Sequence, residues 1–383
     1  MEFTRRTFLR AAASACAACA LGPAGAARAA RGLGLTPGLI GSRESPFYQP
    51  LPGGEVLCTL CPQACQVAPG QRGACRVRQN IAGRYHTLVY GNPCAVHVDP
   101  IEKKPFFHVL PGTRSFSLAT AGCNFSCRFC QNWEISQQGP DDTLNIDLSP
   151  YRAVSEALAA GAASLASTYV EPTIFMEYML DLGRQCRQRG LLKVMHSNGY
   201  VNPDPLRQLI EVLDAACIDL KSAREEFYAK VCGGRLAPVR ETLRALVGAK
   251  VHTEIVHLMI PTLNDSPEET RDLVRFVRDE LSPQVPLHLT RFYPLYKLQN
   301  LPPTPVATLE RARNLALEMG LKYVYLGNLP GHEAENTFCP GCQSQVISRR
   351  GLSLRQNRLI DGRCPDCGQA IPGIWQRPAT AGV

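Results

Sequence analysis

The sequence comprises 383 residues, 45% of them hydrophobic, enough for one barrel with appendages or for two to three domains. Its formal net charge of +8 is uneven, because residues 1–31 hold Arg5, Arg6, Arg10, Arg28 and Arg31 against Glu2, which leaves +4 for the other 352. An excess so diluted argues against a nucleic-acid partner and for an ordinary solvated surface. The 17 Cys fall mostly into three clusters at C-x2-C and C-x3-C spacing, a pattern of metal sites rather than disulfides. Cys94, Cys186, Cys217 and Cys232 lie outside these clusters and read as small buried apolar residues.

The chain opens with a charged head, Thr4-Arg5-Arg6-Thr7-Phe8-Leu9-Arg10, a short apolar stretch to Leu21, and small residues at Ala24-Gly25-Ala26 and Ala27-Arg28-Ala29. This is a secretory leader, residues 1–31, and its paired Arg resembles a twin-arginine signal. Its apolar stretch is about half the ~20 residues a spanning helix needs, so no integral membrane span is expected. Export to the periplasm or cell envelope is the location this implies, with the cytoplasm as the alternative. Residues 32–54, rich in Gly and Pro, read as a linker.

A Cys-rich module follows at 55–110, with Cys58, Cys61, Cys65 and Cys75. Four thiols this close suffice for a closed tetrahedral zinc site or for a second iron–sulfur cluster. Behind them the sequence predicts a short hairpin, with Gly83 turning between Arg78-Gln79 and Tyr85-His86-Thr87-Leu88-Val89.

From residue 111 to 335 strand and helix patterns alternate. Strands are predicted at 115–120, 163–170, 193–197, 215–220, 253–260, 286–290 and 323–326. Ser149-Pro150 and Ser266-Pro267 mark helix starts. Such alternation means a parallel sheet with helices outside it, a complete or partial barrel. Polar groups gather at the predicted carboxyl ends of strands, where barrel chemistry sits. There lie Thr168-Tyr169-Val170-Glu171, His196-Ser197-Asn198-Gly199, Asp219-Leu220-Lys221 and His288-Leu289-Thr290-Arg291. The first strand ends at Gly122-Cys123-Asn124-Phe125-Ser126-Cys127-Arg128-Phe129-Cys130. Three thiolates at C-x3-C-x2-C can hold three irons of a [4Fe–4S] cluster and leave the fourth open. The same spacing also suits a zinc knuckle, or three of four ligands with the fourth elsewhere.

The tail, 336–377, holds Cys339-Pro340-Gly341-Cys342 and Cys364-Pro365-Asp366-Cys367-Gly368. Two C-P-x-C knuckles predict a zinc ribbon, with Gly341 and Gly368 turning the backbone beside the metal. A cluster used as an electron relay is the lesser alternative there.

The Cys123–Cys130 stretch closely resembles the cluster motif of the radical S-adenosylmethionine (radical SAM) superfamily, C-x3-C-x-aromatic-C. The longer run from Gly122 to Trp133 is similar to two narrower groups, the pyruvate formate-lyase activating enzymes and, more closely, the AmmeMemoRadiSam-system radical SAM enzymes. The second match extends to Asp99-Pro100-Ile101-Glu102-Lys103-Lys104-Pro105, Arg291-Phe292-Tyr293-Pro294 and Gly327-Asn328. The resemblance implies a partial (β/α)6-type TIM barrel between an N-terminal Cys-rich module and a C-terminal zinc-ribbon-like module. It implies that Cys123, Cys127 and Cys130 ligate a [4Fe–4S] cluster that cleaves S-adenosylmethionine to methionine and a 5′-deoxyadenosyl radical, which takes hydrogen from a substrate. Phe129 then packs on the adenine, while Glu171, Asn198, Asp219 and Lys221 face the methionine end. Thr168, Tyr169 and Glu171 stand where the family has its Gly-Gly-Glu segment, with the glycines replaced by Tyr169-Val170, so only Glu171 aligns there. His288 and Arg291 are candidates for the substrate end. A flavodoxin- or ferredoxin-like electron donor is implied, and the substrate is a small molecule or a protein. Activation of a glycyl-radical enzyme is the specific alternative. The competing class is a non-catalytic electron-transfer or scaffold protein, which needs a fourth Cys beside Cys123–Cys130.

Overall fold

The computed structural model describes residues 34–377, so the leader at 1–31 lies outside them. The core is an eight-stranded sheet built from β8 (Ala95–Pro100), β9 (Arg114–Ala119), β11 (Ser164–Ser167), β12 (Leu192–Ser197), β13 (Ala215–Asp219), β14 (His252–Met259), β15 (Leu287–Arg291) and β16 (Val324–Gly327). The sheet order is β16-β15-β14-β13-β12-β11-β9-β8. From β9 to β16 all neighbours run parallel, and these strands match the seven the sequence predicts. They are legible because both faces are covered: β9 beyond Arg114, all of β11 and nearly all of β12 and β13 are buried.

The sheet exceeds the six-strand expectation at its N-terminal edge. There β8 pairs antiparallel with β9, from Ala95↔Ala119 to Pro100↔Arg114. It falls inside the range expected of the Cys-rich module, yet it belongs to the large sheet. As the last strand of the sheet it is less covered than the others, with Val96 and Asp99 buried and His97 and Pro100 exposed.

Six helices pack on the strands: α1 (Pro150–Ala159), α2 (Met176–Gln188), α3 (Pro203–Ile210), α4 (Leu236–Gly248), α5 (Pro267–Arg275) and α6 (Val306–Glu318). The starts of α1 and α5 form as their sequences demand. The Ser149 hydroxyl accepts from the Arg152 N–H at 3.4 Å and Ser266 from the Glu269 N–H at 3.1 Å, each ahead of a Pro that needs no hydrogen bond. Helix α6 turns Leu309, Ala312 and Ala316 inward, three residues on one face.

The N-terminal module is built from β2 (Arg43–Glu44), β3 (Tyr48–Pro50), β4 (Val56–Cys58), β5 (Gln66–Val67), β6 (Arg78–Ile81) and β7 (Arg84–Thr87), in two three-stranded antiparallel sheets. β6 and β7 are the predicted hairpin around Gly83. The expected linker is corrected by this sheet pairing: β2 and β3 lie within 32–54, and β1 (Leu35–Pro37) pairs with β10 (Leu144–Ile146). Gly and Pro there interrupt short strands rather than free the chain. The module is fastened to the barrel by Arg78, 1% exposed, which bonds both oxygens of Glu177 on α2 at 2.9 and 2.6 Å and also the Ile174 carbonyl and Ser45 hydroxyl.

The C-terminal module is a three-stranded antiparallel sheet, β17 (Thr337–Phe338), β18 (Gln345–Arg350) and β19 (Ser353–Asn357). Buried Arg349 on β18 donates to the Phe107 carbonyl at 2.7 Å and the Thr337 hydroxyl at 2.9 Å, tying the module to the chain below β9. Among the described residues no helix is long and apolar enough to cross a membrane.

Candidate functional site at the carboxyl ends of the strands

Strand β9 ends at Ala119 and delivers the Cys123–Cys130 loop onto the rim shared by the ends of β11, β12 and β13. Local bonds shape that loop: the Gly122 N–H donates to Ile135 at 2.9 Å, and the Asn124 side chain donates to the Tyr200 carbonyl at 2.8 Å. Behind it, Ser126 and Arg128 donate backbone N–H groups to Cys232 and Val231 at 2.8 and 3.0 Å. Gly122 has φ +88°, and a Cβ there would stand 2.4 Å from the Cys75 carbonyl, so only glycine lets the N-terminal module approach this closely.

Donors surround the three sulfurs. Cys123 Sγ accepts from the Phe125 N–H at 3.4 Å, and the Asn198 side-chain amide lies 4.0 Å from it. Cys130 Sγ meets the Ser136 hydroxyl at 3.2 Å. Burial pushes the Cys123 and Cys130 thiols above their ordinary range. Lys221 supplies positive charge beside Cys127 and Cys130. Among the described residues no three of these ligand atoms gather within the 4.8 Å of one another that a single ion requires. The loop therefore does not close around a single ion as a zinc knuckle would.

Cys232, read from the sequence as a small buried apolar residue, is buried and stands directly behind this loop. Cys232, fully buried at the end of the π-turn Tyr228–Cys232, lies against Cys127 within hydrogen-bond reach, and that contact with burial drives the Cys127 thiol well above its ordinary range.

The other predicted residues line the same rim. Glu171 is 2% exposed and fully engaged: Oε1 accepts from Thr173 N–H at 2.9 Å and the Ser197 hydroxyl at 2.7 Å, and Oε2 accepts from Asn198 N–H at 2.7 Å. It thus ties the end of β11 to the end of β12. Asn198 passes the connection on, donating to the Asn124 side chain at 2.8 Å. Asp219, at the end of β13, sits between His196 Nε2 and Lys221 Nζ, both at 2.9 Å. Burial opposes ionisation of Asp219, but Lys221 and His196 outweigh it and hold the carboxyl far below its usual range. The Lys221 ammonium lies 5.6 Å from the centre of the Phe129 ring.

Tyr169 keeps the left-handed backbone, φ +67°, that glycine ordinarily supplies. Its strain is offset by hydrogen bonds: its carbonyl accepts from Asn132 at 2.6 Å, and its hydroxyl bonds Asp99 and accepts from Lys104 at 2.9 Å. Neighbouring Thr168 is buried. Asp99, Lys104 and His196 are rim and edge residues that the motif reading left without a role. The signal for His196 was present, two residues before Asn198 on the same strand.

His288 does not reach this rim. It lies at the start of β15, 1% exposed, and donates to Glu254 at 2.7 Å. Glu254 also accepts from Phe107 and His108 N–H groups and from His252, a closed structural network at the foot of the sheet. Arg291, at the upper end of β15, spends its side chain on the Thr304 carbonyl at 2.8 Å and the Tyr293 hydroxyl at 3.2 Å.

The remaining cysteines form two groups. Cys339, Cys342, Cys364 and Cys367 all lie within 4.8 Å of one another, with sulfur pairs at 3.5 and 3.6 Å, and could hold one metal ion. Gly368 takes the expected left-handed turn, φ +76°, but in the first knuckle Gln343, φ +64°, takes it in place of Gly341. Cys58, Cys61, Cys65 and Cys75 share one loop cluster, where the Cys58 N–H donates to the Cys65 carbonyl at 2.9 Å and Cys58, Cys65 and Cys75 act electrostatically on Cys61.

A sequence profile of the Radical SAM superfamily matches residues 117–274, from β9 to α5. A protein of Methanocaldococcus jannaschii without an assigned activity is 44% identical over 331 residues, 86% of this chain and 98% of its own. The chain belongs to the radical SAM superfamily. The pyruvate formate-lyase 1-activating enzyme of Escherichia coli K12 is 25% identical over 232 residues, 56% of this chain and 93% of that enzyme. A radical SAM methyltransferase from Sphaerobacter thermophilus superposes with TM-score 0.46 at 15% identity, over 57% of this chain and 67% of the other. As a radical SAM enzyme the protein uses a [4Fe–4S] cluster and S-adenosylmethionine, and enzymes of this kind draw on an electron donor.

Proposed function

We propose that Cys123, Cys127 and Cys130 hold the cluster and that Glu171, Asn198, Asp219 and Lys221 form the seat of the methionine end of S-adenosylmethionine. Once bound, the pair supplies reductive cleavage of the sulfonium to methionine and a 5′-deoxyadenosyl radical, which takes hydrogen from the substrate. The observation that carries this reading is the convergence of the three-Cys loop with the Glu171–Asn198 and Asp219–Lys221 links on one rim. Lys221 is cationic and faces a carboxylate, Asp219 is anionic and faces an ammonium, and each is held in that state by the other. Asn198 orients the Cys123 sulfur, and Glu171 fixes the backbone on which Asn198 stands. Phe129, 6% exposed, gives the adenine an apolar wall and helps to exclude water.

The substrate is a small molecule or a protein. Coverage of 93% of the E. coli activating enzyme favours hydrogen abstraction from a backbone glycine of a partner enzyme as the specific reaction. The AmmeMemoRadiSam resemblance of residues 122–133 points to a different group within the superfamily and leaves the substrate open. We assign the C-terminal Cys group to zinc, since sulfurs at 3.5–3.6 Å suit four thiolates on one ion and leave no open position.

The test is made on anaerobically reconstituted protein given S-adenosylmethionine and dithionite, with 5′-deoxyadenosine and methionine quantified by chromatography. Both products form with the native chain, and Cys127→Ala abolishes them. Undiminished cleavage by Cys127→Ala refutes the assignment of the loop.

A further inference from the structure

The N-terminal cysteines present a different geometry from the C-terminal ones. Backbone bonds fold the four thiols into one loop cluster, the Cys58 N–H donating to the Cys65 carbonyl at 2.9 Å and the Ala74 N–H, beside Cys75, to Cys65 Sγ at 3.4 Å, and Cys58, Cys65 and Cys75 all act electrostatically on Cys61. Yet among the described residues no three of their sulfurs lie within 4.8 Å of one another, whereas the C-terminal four do. One ion with ~2.3 Å bonds to sulfur draws four thiolates to within about 4 Å of each other, which fits the C-terminal group and not this one. The same wide spacing marks Cys123, Cys127 and Cys130, the cluster loop itself. Four thiols are the ligand count of a fully ligated cubane.

The surroundings agree with a redox centre. Cys58, Cys61 and Cys75 are buried, and Cys65 is partly exposed. The Ala74 N–H donates to Cys65 Sγ at 3.4 Å, and the Tyr85 hydroxyl reaches Cys58. Buried Arg78 places positive charge beside Cys58 and Cys75. On the inner side the group abuts the radical SAM loop. The Cys75 carbonyl packs on Gly122, next to Cys123, and the Gln63 amide donates to the Asn124 and Gly233 carbonyls, both at 2.8 Å. On the outer side Arg76 and exposed Arg235 flank the Cys65 edge, each hydrogen-bonded to a backbone carbonyl of the cysteine loops, Ala74 and Pro62.

We propose that Cys58, Cys61, Cys65 and Cys75 hold a second [4Fe–4S] cluster, and that it relays electrons to the Cys123 loop. An acidic one-electron carrier of the flavodoxin or ferredoxin class docks at the Arg76–Arg235 edge and is oxidised there. Each electron it gives up passes inward along Cys75 and Gly122 to the Cys123 loop, where one is consumed per sulfonium bond cleaved. The relay rests on the function proposed above, and the site itself does not.

The full chain, reconstituted anaerobically with iron and sulfide, is assayed for iron, sulfide and zinc and examined by electron paramagnetic resonance after dithionite. About eight irons and about one zinc per chain are expected. The Cys123→Ala/Cys127→Ala/Cys130→Ala variant keeps about four irons, with a signal that S-adenosylmethionine does not move. The Cys61→Ser/Cys75→Ser variant keeps about four irons with a signal that S-adenosylmethionine does move, and it loses carrier-driven cleavage. Should that variant fail to fold, the triple variant decides alone. Two zincs and about four irons in the full chain, with no iron in the triple variant, overturn the proposal. Failure of the Cys123 assignment reads differently, as a triple variant that loses no iron at all.

Discussion

The two four-cysteine groups at the ends of the chain look alike in sequence and differ in what they touch. The C-terminal group rides on its own three-stranded sheet, with Cys342 and Cys367 exposed and the sulfurs closed on a point. The N-terminal group does not close on a point, is mostly buried, and is pressed against the Cys123–Cys130 loop. Two C-x2-C groups that the spacing does not tell apart are thus separated by the packing around them.

The largest effect that sharpens this contrast is metal removal. With zinc assigned to the C-terminal group, a chelator reaches the exposed Cys342 and Cys367 first, and the sheet around them is expected to loosen as the ion leaves, even though Val346, Ile347 and Ile371 pack beneath it. Structural zinc of this type contributes on the order of 10–16 kcal/mol in isolated fingers. Hydrogen exchange across 337–367 is expected to rise while iron content stays constant. Equal loss of iron breaks the comparison. Next comes Arg78→Met, which strands the Glu177 carboxylate in the interior. A loss of about 3–5 kcal/mol is expected by denaturant titration, with most of it recovered in Arg78→Met/Glu177→Leu.

Much of this arrangement was legible in the sequence, for local reasons. The Cys123 loop depends on three residues in one short segment, and the parallel strands on apolar runs buried on both faces. What escaped reading depends on distant chain. Cys232 meets Cys127 only because a π-turn pairs with the cluster loop, and nothing near residue 232 signals it. His288 was placed at the wrong end of its strand, since periodicity gives a strand's faces and not which tip carries a given side chain. Tyr169 looked like a departure from the family's glycines, yet Asp99, Lys104 and Asn132 hold it in the glycine conformation. The expected linker failed for a related reason, as partners for β1 and β2 lie far along the chain, at β10 and β7.

The foot of the barrel, against which the C-terminal module rests, is predicted to respond to acid. Burial alone would raise the Glu254 pKa, but His252 and His288 outweigh it and hold the group well below its ordinary 4.5. A depressed carboxylate stabilises the fold above its unfolded pKa, and that contribution is lost as pH falls below about 4.5 toward the folded value. Glu254→Gln is expected to cost about 1.5–3 kcal/mol near neutral pH and to flatten the acid limb of the stability profile. An unchanged acid limb would separate the module's docking from this network.

The smallest effect concerns the first C-terminal knuckle. Gln343 holds φ +64°, a conformation that costs a side chain energy and costs glycine none. Its amide does little in return, with one contact to the Pro340 carbonyl at 3.4 Å. Gln343→Gly relieves the backbone but frees the unfolded chain, so the net gain is small, about 0.5–1 kcal/mol. Because the knuckle closes on the metal, the gain is expected as slower zinc release to a chelator, with no change in iron. Gly341→Ala supplies the control. Gly341 lies outside the left-handed region, and an added Cβ meets Cys367 Sγ at an ordinary 3.6 Å, so zinc release is expected to stay as it was. If Gly341→Ala were the harmful change and Gln343→Gly neutral, the turn would sit where the sequence pattern first placed it.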